Sequence, residues 1–207
     1  MIKALLLIIE PNATWDGIIR ARRSILFILG AFLVPLLLLT AAGEGYGLVH
    51  WGKWQELGRL KKFPIGEAVV VEAAQFLLSL LVVCAGAKMV RAVGETFRGR
   101  HTYTQAFTVV AYSLSPVFLL RLLDAFSGVS PWVGWGIGIA LCISLLYQGV
   151  PRVMEPDPSH AFGLYLMSAL LLVLFSGVVR YLTAAYLKGE FPKLQEIVSD
   201  LAARLPF

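Results

Sequence analysis

Long apolar runs separated by short polar segments set the pattern of this chain. Five runs are apolar enough to cross a membrane as helices, which takes about 20 residues each. They cover residues 24–42, 67–90, 105–127, 131–149 and 160–185. Lipid offers no partner to free backbone N–H and C=O groups, and the runs are too long for barrel strands. We therefore predict an all-α, polytopic membrane bundle of five transmembrane helices, in a single domain over residues 1–207.

Three shorter segments are predicted to lie at the membrane interface or against the bundle. The opening residues MIKALLLIIE have an apolar core of about six residues, too short for a signal peptide. The segment between spans one and two is predicted to be a short interfacial amphipathic helix with tryptophan anchors. Its apolar residues at helical spacing are Trp51, Trp54, Leu57 and Leu60. The tail is predicted to be a second amphipathic helix. Its apolar face consists of Leu194, Ile197, Val198, Leu201 and Leu205.

Two spans carry a proline near their middle, Pro35 in span one and Pro116 in span three. Proline removes a backbone hydrogen bond and bends a helix, and membrane bundles accept this where neighbours satisfy the freed carbonyl. Both prolines therefore predict helix kinks. Gly134 and Gly138 form a small-xxx-small pair that would let span four approach a neighbour closely. Chance in a glycine-rich span explains this pair nearly as well.

The composition favours a membrane location and argues against nucleic acid as a partner. The chain is 58% hydrophobic and only 15% charged, whereas soluble domains are about one-quarter charged. Its formal charge of +5 comes from basic residues in the loops between apolar runs, where membrane topology and anionic headgroups place them. No basic patch is interleaved with exposed aromatic residues, as a nucleic-acid surface would require.

The basic residues also bear on the orientation of the spans. If the five spans alternate, nine lysines and arginines fall on each side of the membrane, so the total does not decide. Arg20, Arg22 and Arg23 directly precede span one. They favour a cytoplasmic N-terminus, because the first helix usually dominates. An odd number of spans then places the C-terminus outside.

Ionisable side chains inside the spans are the main functional candidates, because a charge in the bilayer is costly. They are Glu67, Glu72, Arg121 and Asp124. Glu72 lies near the start of span two and Arg121 near the end of span three, so antiparallel helices bring them to similar depth. We predict an ion pair between them, with Asp124 joining as the i+3 neighbour of Arg121. Two interpretations stay open: a static clamp that fixes helix register, or a proton or ion relay.

No catalytic or metal-binding motif is found along the sequence. HExxH, GxSxG and P-loop patterns are all absent. Cys84 and Cys142 lie inside apolar runs, and His50, His101 and His160 are scattered over loops or helix ends. We therefore predict no catalytic residues, no metal and no cofactor.

The stretch LLYQGVPRVMEPDPSHAFGLY, residues 145–165, joins the last two spans. Gly149 and Pro151 are expected to end span four, and the later prolines to stiffen the turn. The polar residues of this predicted cytoplasmic hairpin are Arg152, Glu155, Asp157 and His160. Arg152 is expected to meet lipid headgroups while the others are solvated. The expected role is topology, with docking of a partner as the alternative.

Three short motifs resemble the bacterial branch of the Yip family, the Ypt/Rab-interacting membrane proteins. AYSLSP in span three resembles that branch's run of aromatic, small and proline residues. YQGVPRVM, followed by a short acidic turn, resembles the end of its fourth span and the connection to the fifth. EPNATWDGI before a basic cluster is similar to the family's N-terminal segment.

This resemblance implies a five-span bundle with a cytoplasmic N-terminus, in a bacterial inner membrane. Eukaryotic members act in vesicle traffic, bind prenylated Rab GTPases and form hetero-oligomers with relatives. Their Asp-Leu-Tyr-Gly-Pro motif is absent from this sequence, which argues against Rab binding. The family has no established catalytic residues to carry over.

These features together predict a non-enzymatic integral membrane scaffold or adaptor that binds and organises other membrane components. Its expected partners are the lipid bilayer and other membrane proteins, or further copies in a homo- or hetero-oligomer. The expected contact surfaces are loops 92–104 and 151–159 and the amphipathic tail. The alternative is a small transporter or channel component that uses Glu72, Arg121 and Asp124 in a polar cavity. The sequence identifies no small-molecule ligand.

Overall fold

Five long apolar helices form the molecule, as the sequence predicts. The structure is a computed structural model that describes residues 2–55, 58–97 and 101–204. The spans are Ile25–His50, Ile65–Thr96, Tyr103–Ala125, Pro131–Met154 and Ala161–Lys188. Spans two and five are the continuous helices α5 and α9, with the same bounds. The prediction of a polytopic helical membrane bundle is therefore confirmed.

The other three spans each contain a change of helix type beside a proline. Span one consists of α3 (Ile25–Ile28), a π-helical turn (Leu29–Leu33) and α4 (Val34–His50), with Pro35 in the first turn of α4. Proline has no N–H to donate, so the backbone must regroup its hydrogen bonds just before the ring. The Val34 N–H accordingly donates to the Leu29 carbonyl.

Spans three and four are divided in the same way. Span three consists of α6 (Tyr103–Ser113), α7 (Ser115–Leu120) and a closing 3-10 turn (Arg121–Ala125). Pro116 lies in the first turn of α7. Span four is α8 (Pro131–Gly149) continued by a π turn (Val150–Met154) that contains Pro151. Gly149 and Pro151 therefore end the regular α-helix, but the span itself runs on to Met154.

Span three is the central helix of the bundle. Of its most apolar 18-residue stretch, 67% is buried, compared with 28% for span five. Its neighbour span four approaches it closely at the two glycines of the predicted small-residue pair. A Cβ at Gly138 would lie 2.7 Å from the Val117 Cα, and a Cβ at Gly134 would lie 2.9 Å from the Leu120 carbonyl oxygen. The small-residue pair therefore serves close helix contact.

The predicted end of span one, residue 42, is wrong. The helix continues through GEGYGLVH to His50. Three glycines in this stretch resemble a loop in sequence, but Gly47 has a different role. A Cβ at Gly47 would lie 2.2 Å from the carbonyl oxygen of Ala125. Glycine here allows the end of span one to touch the backbone of span three.

The amphipathic helix predicted between spans one and two is also wrong. The described part of this segment forms a small antiparallel hairpin of β1 (Lys53–Trp54) and β2 (Leu60–Lys61), in which Lys53 pairs with Lys61. Gly52 and Gly58 have φ angles of +71° and +66°. Such left-handed backbone interrupts a helix whatever the spacing of the apolar side chains. Glu56 and Leu57, from the same segment, lie outside the described residues.

The first two helices, α1 (Ile2–Ile9) and α2 (Pro11–Ala21), pack against the bundle. Ala4 and Leu7 of α1 are fully buried in the main hydrophobic core, and α1 contacts α7. Trp15 of α2 is fully buried, with its ring 6.3 Å from the ring of Tyr112. The N-terminal segment was expected to lie either at the membrane interface or against the bundle. In the structure it lies against the bundle.

The amphipathic tail helix is present as α10, Pro192–Ala203. One side of it packs on α5, where Ala202 lies against Gly66. Its Leu194, Ile197 and Leu201 side chains are 48%, 62% and 50% exposed. Leu205, also assigned to the apolar face, lies outside the described residues. The helix thus has one apolar row that the described part of the chain does not cover.

The close contact at Gly138 provides a test of the fold. We expect Gly138→Ala to lower the free energy of unfolding by about 1–3 kcal/mol, because the Val117 backbone must shift. Gly136→Ala is the matched control, because a Cβ there meets nothing within 4 Å. Alanine also favours the helix slightly at this control position. Loss of helical circular dichroism on denaturation in detergent measures both variants. Identical unfolding curves would contradict the contact.

Candidate functional site

Six buried charged residues lie together at one end of the bundle. We call them the charged cluster, and their exposed fractions are Glu44 0%, Lys53 5%, Glu72 7%, Arg121 8%, Asp124 1% and Arg180 9%. Three are acidic and three basic, so their formal charges balance. Such residues are expensive within a membrane unless they are paired.

Arg121 is the centre of the cluster. Its Nε donates to Glu44 Oε2 at 2.6 Å, and one terminal nitrogen donates to Glu72 Oε2 at 2.6 Å. The other terminal nitrogen reaches Ser79 Oγ at 3.5 Å. Gln75 Nε2 donates to the second Glu44 oxygen at 3.2 Å. The structure thus brings Glu72 and Arg121 together, and adds Glu44 from span one as a second carboxylate on the same guanidinium.

Asp124 belongs to the same cluster but has another partner. From the sequence, Asp124 was expected to join Glu72 and Arg121. Instead Asp124 Oδ2 accepts a hydrogen bond from Arg180 of span five at 2.5 Å. The same Arg180 nitrogen donates to the Pro131 carbonyl at the start of span four, at 2.6 Å. Since Glu44 and Glu72 already occupy Arg121, the Asp124 charge is compensated by Arg180.

Lys53 of the β-hairpin covers the cluster from outside the spans. Its Nζ donates to the Phe126 carbonyl at 3.3 Å, and Trp51 stacks on the Phe126 ring with centroids 5.2 Å apart. Burial lowers the pKa of the Lys53 ammonium below its ordinary value of 10.5, and the nearby Asp124 and Glu44 carboxylates oppose this shift. The hairpin therefore contributes the third positive charge, at the edge of the membrane-spanning region.

The cluster joins all five spans. Spans one, three and five contribute side chains near their ends, whereas span two contributes Glu72 near its start and span four the carbonyl of its first residue, Pro131. All five therefore meet at the same end of the bundle, opposite α2, whose Trp15 lies against Gly149. Gly45 leaves room for the Glu72 side chain, because a Cβ at position 45 would lie 3.3 Å from it.

A small cavity with a mainly apolar lining adjoins the cluster. Its volume is about 50 Å³, and its polar lining residues are Gln75, Ser79, Arg121, Ser176, Arg180 and Thr183. The Nε of Arg180 is buried and has no hydrogen-bond partner among the described residues. A space of this size is large enough for a few water molecules and too small for an organic solute.

Among the described residues, the polar side chains buried between the cluster and His101, which packs on Gly94 at the far end, are hydroxyls. They are Thr40, Ser113, Ser115 and Ser168. Hydroxyls can pass a hydrogen bond onward, but they do not hold a charge at neutral pH. A proton or ion relay typically continues through carboxylates or histidines. The geometry thus favours a static clamp over a relay.

Three cluster residues were not predicted from the sequence: Glu44, Lys53 and Arg180. Lys53 lies in the segment for which an interfacial helix was predicted. Glu44 fell beyond the predicted end of span one, in a stretch whose glycines resemble a loop. Arg180 lay inside the predicted fifth span but near its end, where a long side chain can reach the interface. The charges themselves could have indicated a further cation. The predicted cluster held two carboxylates, Glu72 and Asp124, but only one arginine to neutralise them. Glu67, the remaining intramembrane candidate, lies 3.5 Å from Lys61 of the hairpin.

The predicted hairpin residues lie at the other end of the bundle, apart from the charged cluster. Gly149 gives room to Trp15, whose ring atoms would lie 2.6 Å from a Cβ at this position. Arg152 donates to the Asn12 side-chain oxygen at 2.8 Å, so it ties the turn to α2 as well as facing the surface. Glu155 has left-handed backbone, with φ +47°.

The last part of the hairpin leads into span five. The Asp157 carbonyl accepts from the N–H groups of His160 and Ala161, at 2.8 and 3.0 Å. The His160 ring lies 5.9 Å from the Phe97 ring. Within residues 2–55, 58–97 and 101–204 there is no group of three or more His, Cys, Asp or Glu that could hold a metal ion. Cys84 and Cys142 are both free thiols.

Comparison with known sequences agrees with this architecture. The sequence model of the Yip1 domain matches residues 5–180, well over half of the chain. The chain belongs to the Yip1 family. No curated protein and no solved structure matches it. The Yip1 domain begins within α1 and ends at Arg180, so all six residues of the charged cluster lie inside it, and α10 lies beyond it.

Removal of the central cation tests the cluster of this Yip1 domain. We expect Arg121→Gln to lower the free energy of unfolding by about 3–5 kcal/mol, because two buried carboxylates lose their partner. Arg91→Gln is the control, since its ion pair with Glu95 is exposed and worth at most about 1 kcal/mol. Denaturant titration in detergent micelles compares the variants.

A third variant separates loss of charge pairing from loss of volume. This triple variant combines Glu44→Gln, Glu72→Gln and Arg121→Gln, so that neutral amides replace all three buried charges. This triple variant is expected to be more stable than Arg121→Gln alone. The charge explanation fails if the triple variant is no better than the single one, or if Arg121→Gln unfolds like Arg91→Gln.

Proposed function

We propose that this Yip1-family protein is a non-enzymatic membrane scaffold or adaptor, which binds and organises other membrane components. The observation that carries the proposal is the pairing within the charged cluster. Arg121 binds two carboxylates, Arg180 binds a third, and the cavity that these two arginines line has about 50 Å³. The larger cavity beside Glu72, of about 630 Å³, is almost entirely apolar. Paired charges of this kind hold the helices in a fixed arrangement, as a scaffold that presents surfaces to partners requires. A transport pathway would instead need charged groups that ions or protons can pass.

The surface that best supports partner binding is the uncovered row of α10. Leu194, Ile197 and Leu201 recur at helical spacing and are about half exposed or more. An amphipathic helix with one face on its own bundle and an apolar row outside can dock on another membrane protein, on a second copy or on lipid. Our proposal assigns this row to a protein partner.

The proposal includes an orientation. We place the N-terminus in the cytoplasm, in a bacterial inner membrane, because Arg20, Arg22 and Arg23 directly precede the first span. The five spans then put α10, the β-hairpin and the charged cluster at the outer face. The hairpin at residues 149–160 becomes cytoplasmic.

Site-specific photocrosslinking in native membranes tests the scaffold proposal. A photoreactive amino acid replaces Ile197 on α10 in one sample, and Leu174 on span five in a control. The two side chains have matched exposure, 62% and 65%. We expect discrete protein adducts, either of another membrane protein or of a second copy, from position 197, and lipid adducts from position 174.

Two results would contradict the scaffold. One is lipid adducts alone from both positions. The other is proton or solute flux through the purified protein in liposomes that Glu72→Gln reduces, which would support the transporter alternative.

A further inference from the structure

A polar cavity, of about 480 Å³, lies at the end of the bundle opposite the charged cluster. It is enclosed by α2 and the start of span one, by the start of α6 and by the end of the span-four π turn. We call it the basic cavity. The residues that matter are Arg22, Arg23, Arg152, Thr104, Thr108 and Glu155. It shares no lining residue with the cavity beside Arg121.

The charge of the basic cavity selects for an anion. Among the described residues, three guanidinium groups and one carboxylate line it. Arg152 is held in place by Asn12, with hydrogen bonds of 2.8 and 3.3 Å. Arg22 and Arg23 are exposed at its rim, and the Arg23 guanidinium lies 4.3 Å above the Phe27 ring. Arginine forks match the geometry of a phosphate group.

A helix start adds to the positive field. α6 begins at Tyr103, and residues 102, 104, 105 and 108 of this segment line the cavity. The first turn of an 11-residue helix carries partial positive charge from the aligned dipoles of its peptide groups. The Thr102 and Gln105 side chains cap this turn through a reciprocal capping box. The α6 wall is therefore rigid as well as electropositive.

The apolar part of the cavity indicates what the anion is attached to. Ile19 and Val153 also line the cavity, and both are only partly buried, so they offer apolar surface to a ligand. Spans one and three begin here and span four ends here, so the cavity lies at the level where headgroups meet acyl chains. A soluble phosphate compound would use the arginines alone, whereas a lipid would use both parts.

We propose that the basic cavity binds the phosphate of an anionic phospholipid headgroup, with its glycerol end against Ile19 and Val153. Arg22 and Arg23 supply the charge that discriminates between lipids. Arg152 closes the site from the hairpin side, and Glu155 limits its affinity. The site is built from the first, third and fourth spans, so an occupied cavity ties α2 and the hairpin to the bundle.

Native mass spectrometry of the purified full chain in detergent tests this proposal. The probes are phosphatidylglycerol and phosphatidylcholine with the same acyl chains, titrated separately. We expect phosphatidylglycerol to bind about tenfold tighter or more, since each arginine near a headgroup contributes to anionic selectivity. Arg22→Gln with Arg23→Gln should remove this preference. Arg20→Gln is the control, because Arg20 lies on the same helix and bonds the Asp16 carbonyl instead of lining the cavity.

A second variant keeps the test decisive if the double arginine variant does not fold. Glu155→Gln removes the one carboxylate, so it should strengthen phosphatidylglycerol binding several-fold and leave phosphatidylcholine binding unchanged. If Arg20→Gln weakens phosphatidylglycerol binding as much as the double variant does, the preference comes from overall positive charge, and the proposed site is overturned. Calorimetry with inorganic phosphate distinguishes a lipid headgroup from free phosphate as the source of the bound anion. Phosphate binding without preference between the two lipids would overturn the headgroup assignment.

Discussion

The guanidinium of Arg121, held between two carboxylates inside the membrane region, is the interaction on which the arrangement of the spans depends. Compared with apolar residues of similar volume, a buried ion pair adds little stability. Separating its members nevertheless costs several kcal/mol, roughly 3–5 in soluble proteins. Any shift of span one or two relative to span three would expose Glu44 or Glu72 without a cation. The cluster therefore selects one register among many that apolar surfaces alone would allow.

Other features of the fold serve this contact. Gly47 lets span one reach the backbone of Ala125, and the 3-10 turn Arg121–Ala125 presents Arg121 and Asp124 from one segment. Arg180 then links Asp124 to the first residue of span four. Lys53 covers the group from the hairpin. One end of the Yip1 domain is thus fixed by charge, whereas the other end is held by α2 and the apolar burial of Trp15.

The sequence was sufficient to predict the five spans. It was insufficient to predict which residues pair with each buried charge. The five spans follow from apolar length, and Glu72 with Arg121 follows from their similar depth in antiparallel helices. Glu44 was hidden because GEGYG resembles a loop, although its glycines serve close contact between helices. The tryptophan spacing suggested a helix around Trp51, yet two glycines with positive φ made a hairpin. Which arginine meets Asp124 depends on how spans three and five pack, and no local pattern encodes that.

The most direct measurement of the clamp is a double-mutant cycle between spans three and five. It compares the free energies of unfolding of the unmodified protein, Asp124→Asn, Arg180→Gln and the combined variant in the same lipid–detergent mixture. The account predicts a coupling energy above about 1 kcal/mol, with the combined variant more stable than the sum of the single losses implies. Losses that add within about 0.5 kcal/mol would contradict the claim that the charged cluster fixes the register of the bundle.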